Sequence, residues 1–327
     1  MKVFMVGESA KHRDNLVQHL PADVEVVTLP REASISDRFD EQIGEQDVII
    51  SLKYSRRGSK PPPFRMLHVP GAGLDGIDFH SLPDTAWVCN VYEHEIPIAE
   101  YVFAAMLNHE IGYANMQMEF KHSRWADLYR SRTPHGEIFG KTLGLVGYGR
   151  IGREVAKRAK AFGMKVLVAN RSSIENGVEY IDEFNLMSNL GAVLSAADYV
   201  LIACPLAEST RGLIDRHALE KMKRHAVLIN VSRAEIIDQQ ALYDTLKNNR
   251  LGGAILDVWW KYPTNEHDNP EPSDYPFDSL PSVNCTPHSS AWTHDLSKRR
   301  YRLIAKNIQH LISGEPLENV VHQARTI

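Results

Sequence analysis

Through the middle of the chain, short apolar runs alternate with stretches whose apolar residues recur every three or four positions. Residues 142–147 (TLGLVG) form an apolar run closed by glycine. Residues 150–162 (RIGREVAKRAKAF) place Ile151, Val155, Ala159 and Phe162 at helical spacing. The runs at 164–169, 199–203, 226–230, 253–258 and 283–286 read as further strands. Helical patterns lie between them, as at 238–248. Alternation of this kind calls for parallel strands joined by crossover helices, a doubly wound α/β sheet. The first ninety or so residues repeat the style more weakly, with short strands expected at 2–6, 24–29, 47–52, 66–69 and 88–91. The stretch Lys60-Pro61-Pro62-Pro63 interrupts the chain before the fourth. Pro97 is expected to open a long helix over 98–109 and beyond, and a last long helix runs from about 293 to 312, stopping at Gly314.

At 327 residues the chain is long enough for two domains. Hydrophobic residues at 43% and charged residues at 24% exclude a disordered or low-complexity polymer. A net charge of −4 with no basic stripe argues against a nucleic-acid surface. The most basic stretch, Lys53-Tyr54-Ser55-Arg56-Arg57, suits a small anion at most. Cys89, Cys204 and Cys285 are far apart and odd in number, so neither a disulfide framework nor a metal site is expected. No apolar run is long enough for a membrane span or a signal peptide, and the expected location is the cytoplasm.

The sharpest local signal is Gly147-Tyr148-Gly149-Arg150-Ile151-Gly152, a GxGxxG between a strand and a helix. The first glycine makes the tight turn, the second lets backbone approach a pyrophosphate, and the third lets helix and strand pack closely. At the end of the next strand, where NAD sites commonly carry a carboxylate for the ribose 2′-hydroxyl, stand Asn170-Arg171-Ser172-Ser173. With no carboxylate to repel a phosphate, and with Arg171 and Ser172 able to face one, NADP(H) is favoured over NAD(H). The alternative is that Arg171 is a solvated loop arginine.

The glycine loop lies about 140 residues into the chain. TLGLVGYGRIGREVAKRAKAFGMKV, PLAESTRGLID, LINVSRAEIID, GAILDVW and TPH follow in that order, with HVPGAGLDGIDF and VCNVYEHEIPIAEYVFAAML upstream. This set resembles the D-isomer-specific 2-hydroxyacid dehydrogenase family, in particular its glyoxylate/hydroxypyruvate reductase-like members, over nearly the whole chain. The resemblance implies two doubly wound parallel-sheet domains. A Rossmann cofactor domain (96–288) would be inserted in a discontinuous, flavodoxin-like substrate domain (1–95 with 289–327), with the active site in the cleft. It also implies a homodimer formed through the cofactor domain. Residues 122–132 could belong to that contact or be an exposed charged loop.

By the same resemblance, Arg233 matches the arginine that holds the substrate carboxylate and polarises the ketone, as its permanently charged fork can. His288, one of fifteen histidines, matches the acid/base histidine, whose ordinary pKa near 6.5 suits that work. Tyr262 occupies the position of the glutamate that usually supports the histidine. A neutral hydroxyl there can hydrogen-bond the imidazole but would not raise its pKa. Glu266, Asp268 or Glu271 could substitute, though nothing in the sequence positions them. Asp257 resembles the aspartate near the nicotinamide amide, or else is a structural acid at a strand end. Pro205 resembles the proline lining the cofactor ring, and Ala72 and Gly73 the loop whose N–H groups bind the substrate carboxylate. Lys53, with Arg56, could hold a distal anionic group or be a solvated lysine. Trp292 could wall the pocket or pack the crossing helix. The resulting expectation is reduction of a small 2-oxo acid to the (R)-2-hydroxy acid, with hydride from NAD(P)H. The alternative is a catalytically silent, cofactor-sensing protein on the same fold.

Overall fold

The computed structural model describes residues 1–56, 58, 60–173, 179–264 and 267–323. The chain divides into two compact units, Met1–Glu93 with Thr293–Ile327, and His94–Trp292.

In the first unit β1 (Lys2–Val6), β2 (Glu25–Leu29), β3 (Val48–Ile50), β4 (Met66–His68) and β5 (Trp87–Cys89) form a parallel sheet in the order β5-β4-β3-β1-β2. Alternate residues of β1 serve opposite faces, as a two-residue repeat dictates. Val3 and Met5 pack with Tyr301, Ile304 and Ile308 of the C-terminal helix His294–Ser313. Phe4 and Val6 pack with Tyr54, Phe64 and Ile77 on the other side. That helix has the boundaries its sequence signals. Thr293 caps it by accepting the N–H of Leu296, and Gly314 ends it in the left-handed conformation.

The second unit carries β6 (Thr142–Val146), β7 (Lys165–Asn170), β8 (Glu183–Leu186), β9 (Tyr199–Ile202), β10 (Val227–Asn230), β11 (Gly253–Leu256) and β12 (Val283–Cys285). All are parallel, in the order β12-β11-β10-β9-β6-β7-β8. The central strands β9 and β10 are buried along their whole length, which is why they read as continuous apolar runs.

Four local features differ from the sequence expectation. Pro97 does not open its helix but is the third residue of Glu95–Ile111. The first-turn N–H groups have no intrahelical acceptor, so a proline costs nothing there. The segment 122–132 is no loop: helix Tyr113–His122 is followed by helix Trp125–Ser131. Strand β8 escapes notice because it is a largely exposed edge strand without an apolar pattern. The short strand Val320–His322 adds to β5 antiparallel, the exception in an otherwise parallel sheet. Three residues carry no readable period, and their pairing is imposed by β5.

Candidate active site

In the second unit the glycine loop follows β6, Asn170 ends β7, Pro205 follows β9, Arg233 follows β10, Asp257 follows β11 and His288 follows β12. All of these lie at carboxyl ends of neighbouring parallel strands. Chain order reverses between β6 and β9, where loops leave the sheet in opposite directions and open a crevice for a ligand.

The glycines of the loop differ in what they permit. Gly147 has φ +99°, and a Cβ there would come within 2.8 Å of the Cys204 backbone nitrogen. A Cβ on Gly152 would lie 2.6 Å from the Gly147 carbonyl oxygen. Gly149 instead faces open space, at the N-cap of helix Arg150–Ala161. The first-turn N–H groups of that twelve-residue helix, Arg150 and Ile151 among them, have no intrahelical acceptors. An open approach to an exposed helix N-terminus fits the pyrophosphate of a dinucleotide. Tyr148 turns its ring into the core, its hydroxyl donating to the Glu179 carbonyl at 2.8 Å. Its N–H donates to Asn170 Oδ1 at 3.2 Å, while Asn170 Nδ2 donates to the Ser172 carbonyl at 3.0 Å. Asn170 thus ties the glycine loop to the end of β7 and leaves Arg171 and Ser172 exposed beside it.

Asn230 shapes the next turn. Its Oδ1 accepts the Ser232 N–H and its Nδ2 donates to the Arg233 carbonyl, a side-chain-closed turn at the end of β10. Ser232 is held against β9 by a 2.5 Å hydrogen bond to the Cys204 carbonyl. Arg233 emerges from this turn half-buried, its Nη1 donating to the Ser232 carbonyl.

Asp257 is wholly buried and holds the loop that carries His288. Its Oδ1 accepts from the Thr286 hydroxyl (2.6 Å) and the Ser289 N–H (2.8 Å), and its Oδ2 accepts from the Ser290 N–H (2.9 Å). Since the single Thr286 hydroxyl proton goes to Asp257, Tyr101 must donate to Thr286 Oγ1, 2.6 Å away. His288 sits inside this clamp at φ +56°, a conformation a non-glycine residue holds only when its neighbours fix it.

Tyr262 Oη lies 2.8 Å from His288 Nδ1 and accepts the Trp259 N–H at 3.1 Å. Trp259 is itself anchored by its Nε1, which donates to the Thr286 carbonyl. His288 is exposed at the surface of the chain, yet partial loss of solvent around its ring lowers its pKa below the usual value. Asp257 opposes that shift and the Arg233 charge adds to it. Burial raises the Tyr262 pKa, keeping its hydroxyl protonated. Of the carboxylates considered as substitutes, Asp268 accepts from the Thr264 N–H and hydroxyl, Glu271 is exposed, and Glu266 lies outside the described residues. Pro205 is exposed, its carbonyl accepting from Thr210. Trp292, 71% exposed, closes the turn after His288 through its N–H to the Ser289 carbonyl.

In the first unit Lys53 is exposed, Ala72 is half-buried and Gly73 is exposed. Arg56 turns inward instead: its Nη2 bonds Asp40 (2.7 Å) and the Ala33 carbonyl (3.1 Å), so its charge serves packing. Arg57 lies outside the described residues. Tyr101, Asn230 and Thr286 were not singled out from the sequence. Their roles depend on contacts between separate strands and helices, which no local pattern encodes. Among the described residues no group of three or more His, Cys, Asp or Glu side chains could hold a metal ion, and no helix is long and apolar enough to cross a membrane.

Fold and strand-end geometry together define a two-unit α/β protein with a dinucleotide-binding sheet. The model for the NAD binding domain of D-isomer specific 2-hydroxyacid dehydrogenases matches residues 103–290. The glyoxylate reductase of Thermococcus kodakarensis is 34% identical over 333 residues, covering 95% of this chain and 93% of that protein. The D-3-phosphoglycerate dehydrogenase of Methanocaldococcus jannaschii is 31% identical over 293 residues, 86% of this chain and 53% of its own. The present chain thus spans about half the length of that relative. A solved 2-hydroxyacid dehydrogenase family protein from Aeromonas salmonicida shares the fold at a TM-score of 0.80, over 98% of both chains and at 24% identity. The chain belongs to the D-isomer specific 2-hydroxyacid dehydrogenase family.

Proposed function

We propose that the protein reduces a small 2-oxo acid to the (R)-2-hydroxy acid with NADPH in preference to NADH. The observation that carries this reading is His288, its loop held by the Asp257 clamp and its ring met by Tyr262, under the influence of the Arg233 charge. When bound, the nicotinamide supplies the hydride for the carbonyl carbon. Arg233 holds the substrate carboxylate and polarises the ketone oxygen. His288 gives that oxygen its proton from Nε2.

Tyr262 serves both protonation states of the imidazole. Beside a neutral ring protonated at Nε2, the Tyr262 hydroxyl donates to Nδ1 while its oxygen accepts the Trp259 N–H. Beside the imidazolium, the hydroxyl rotates and accepts from Nδ1–H. Arg171 and Ser172, exposed at the end of β7 with no carboxylate at Asn170, support the NADP(H) preference. The three cysteines are free, which suits a reducing cytoplasm. Helices Tyr113–His122 and Trp125–Ser131 bury none of their side chains and expose Tyr113, Met118, Phe120, Trp125 and Tyr129. That apolar surface supports a homodimer through this unit.

The test is oxidation of NADPH and NADH against glyoxylate, hydroxypyruvate and a longer 2-oxo acid, with Arg233→Ala and His288→Ala beside the native protein. Turnover with NADPH that falls roughly 10²–10⁴-fold in each variant is expected. Tight NADPH binding with no turnover on any 2-oxo acid would replace this reading with the cofactor-sensing one, which the missing carboxylate at Tyr262 favours.

A further inference from the structure

We propose that Trp259 is a positioning residue for the proton donor: its main-chain and indole N–H groups together set the contact between Tyr262 and His288. The inference rests on the reading of the protein as a 2-oxo acid reductase and adds a residue to it.

Trp259 lies just beyond β11, two residues after Asp257, and all the groups concerned belong to the second unit. Its main-chain N–H donates to Tyr262 Oη at 3.1 Å, and Tyr262 Oη meets His288 Nδ1 at 2.8 Å. Its indole Nε1 donates to the Thr286 carbonyl at 2.8 Å, and the same carbonyl accepts the His288 main-chain N–H at 3.0 Å. That last bond closes a three-residue turn over Pro287. The four hydrogen bonds form a closed circuit. His288 is gripped at its main-chain nitrogen and at Nδ1, and both grips lead back to Trp259. A side chain held only through its main chain can still change rotamer, whereas a second hold on the ring restricts both of its torsions. Nε2 is then the ring nitrogen left for the reacting oxygen. Asp257 holds the loop on its other flank, through the Ser289 and Ser290 N–H groups.

The stability of the fold does not call for this indole N–H. The Thr286 carbonyl already has a donor in the His288 N–H, so it would not be left unpaired without Trp259. Trp259 is 9% exposed and belongs to an apolar cluster with Leu256 and Phe277, a place that phenylalanine would also suit. What tryptophan adds is a donor at a fixed point on a rigid ring. The Tyr262 hydroxyl stays protonated and brings no charge to attract the imidazole, so the aim of the ring depends on geometry. Misplacing a reacting group by about 1 Å can cost roughly 100-fold in rate.

The experiment compares the native protein with Trp259→Phe, which keeps an aromatic ring and loses the N–H, and with Trp259→His. The imidazole Nε2 takes the place of the indole Nε1 on a smaller ring, so donor and packing are separated. The measurements are kcat and KM for glyoxylate at one fixed pH near neutrality, NADPH binding by fluorescence, and thermal unfolding. Trp259→Phe should lose roughly tenfold or more in kcat, with KM and NADPH affinity within about threefold of the native values. Trp259→His should melt at a lower temperature than Trp259→Phe and yet keep the higher kcat. A packing role predicts the reverse order of kcat, and that result overturns the inference. A native-like kcat in Trp259→Phe also overturns it and leaves the reductase reading intact. Should Trp259→His not fold, Trp259→Phe decides alone. A fall in kcat with KM and NADPH affinity kept supports positioning, whereas a parallel loss of all three assigns Trp259 to structure and overturns the inference. A native protein that binds NADPH but reduces no 2-oxo acid overturns both readings together.

Discussion

His288 and Tyr262 set the chemistry at the scale of single residues. Partial loss of solvent lowers the His288 pKa, and its direct partner at Nδ1 is a hydroxyl that carries no compensating charge. Reduction draws on the protonated imidazole. Its kcat/KM should therefore be highest on the acid side and fall as pH rises through that lowered pKa, about tenfold per pH unit. A carboxylate at position 262 favours the charged ring. Tyr262→Glu should move the falling limb of the reduction profile toward higher pH, whereas Tyr262→Phe should leave it in place or shift it further to acid. The measurement is kcat/KM for glyoxylate from pH 5 to 9 in the three proteins. Coincident limbs in the native and Tyr262→Glu proteins would remove Tyr262 from the mechanism. The residue types were legible in the sequence. The contact between Tyr262 and His288, 26 positions apart, was visible there only as a matched position.

At the scale of elements, the turn after β6 and the exposed helices make separate demands. Adding a methyl at Gly152 drives it against the Gly147 carbonyl, backbone that cannot swing aside. Gly152→Ala should cost about 1–3 kcal/mol of stability, the usual range for overpacking. It should also weaken NADPH binding, read by fluorescence titration, because the turn and the helix N-terminus must part. Helix Tyr113–His122 has no buried face in one chain. If a second copy covers it, Phe120→Asp should convert a dimer to a monomer in sedimentation while leaving the melting temperature of the monomer fold nearly unchanged. A native protein already monomeric at micromolar concentration would contradict the assignment. The sequence read the amphipathic helix after the glycine loop correctly because its apolar stripe faces its own sheet. It left 122–132 open because these helices have no stripe facing their own unit.

At the scale of the whole molecule, the chain returns at its end to complete the unit it began. His68 on β4 and Asn307 on the C-terminal helix are both fully buried. Asn307 Nδ2 donates to His68 Nε2 at 3.0 Å and to the Glu318 carbonyl, while Asn307 Oδ1 accepts the Glu318 N–H. The imidazole must be neutral to accept at Nε2, and burial pushes its pKa down to about 4. The unfolded chain takes up this proton near pH 6.5 and the folded one near 4. Stability from this residue is thus whole above 6.5 and falls as pH drops toward 4, by about 3 kcal/mol in all. Urea unfolding at pH 7 and pH 5 should show the loss, and His68→Leu should flatten the slope between those values. An unchanged slope would mean that other groups govern acid sensitivity.

The sequence by itself determined the alternation of strands and helices, the glycine turn, the helix caps and the residue types gathered for the chemistry. These are written in local periodicity and in backbone requirements that act within a few residues. Only the tertiary structure decided that Asp257 spends both oxygens on the His288 loop and that Tyr101 reaches that loop through Thr286. It also decided that Arg56 turns inward to Asp40 and that Asn90 holds the Ala72 carbonyl. Each of these depends on hydrogen-bond partners between 16 and 185 positions away. Such pairings become definite only once parallel strands, packed side by side, bring their carboxyl ends together.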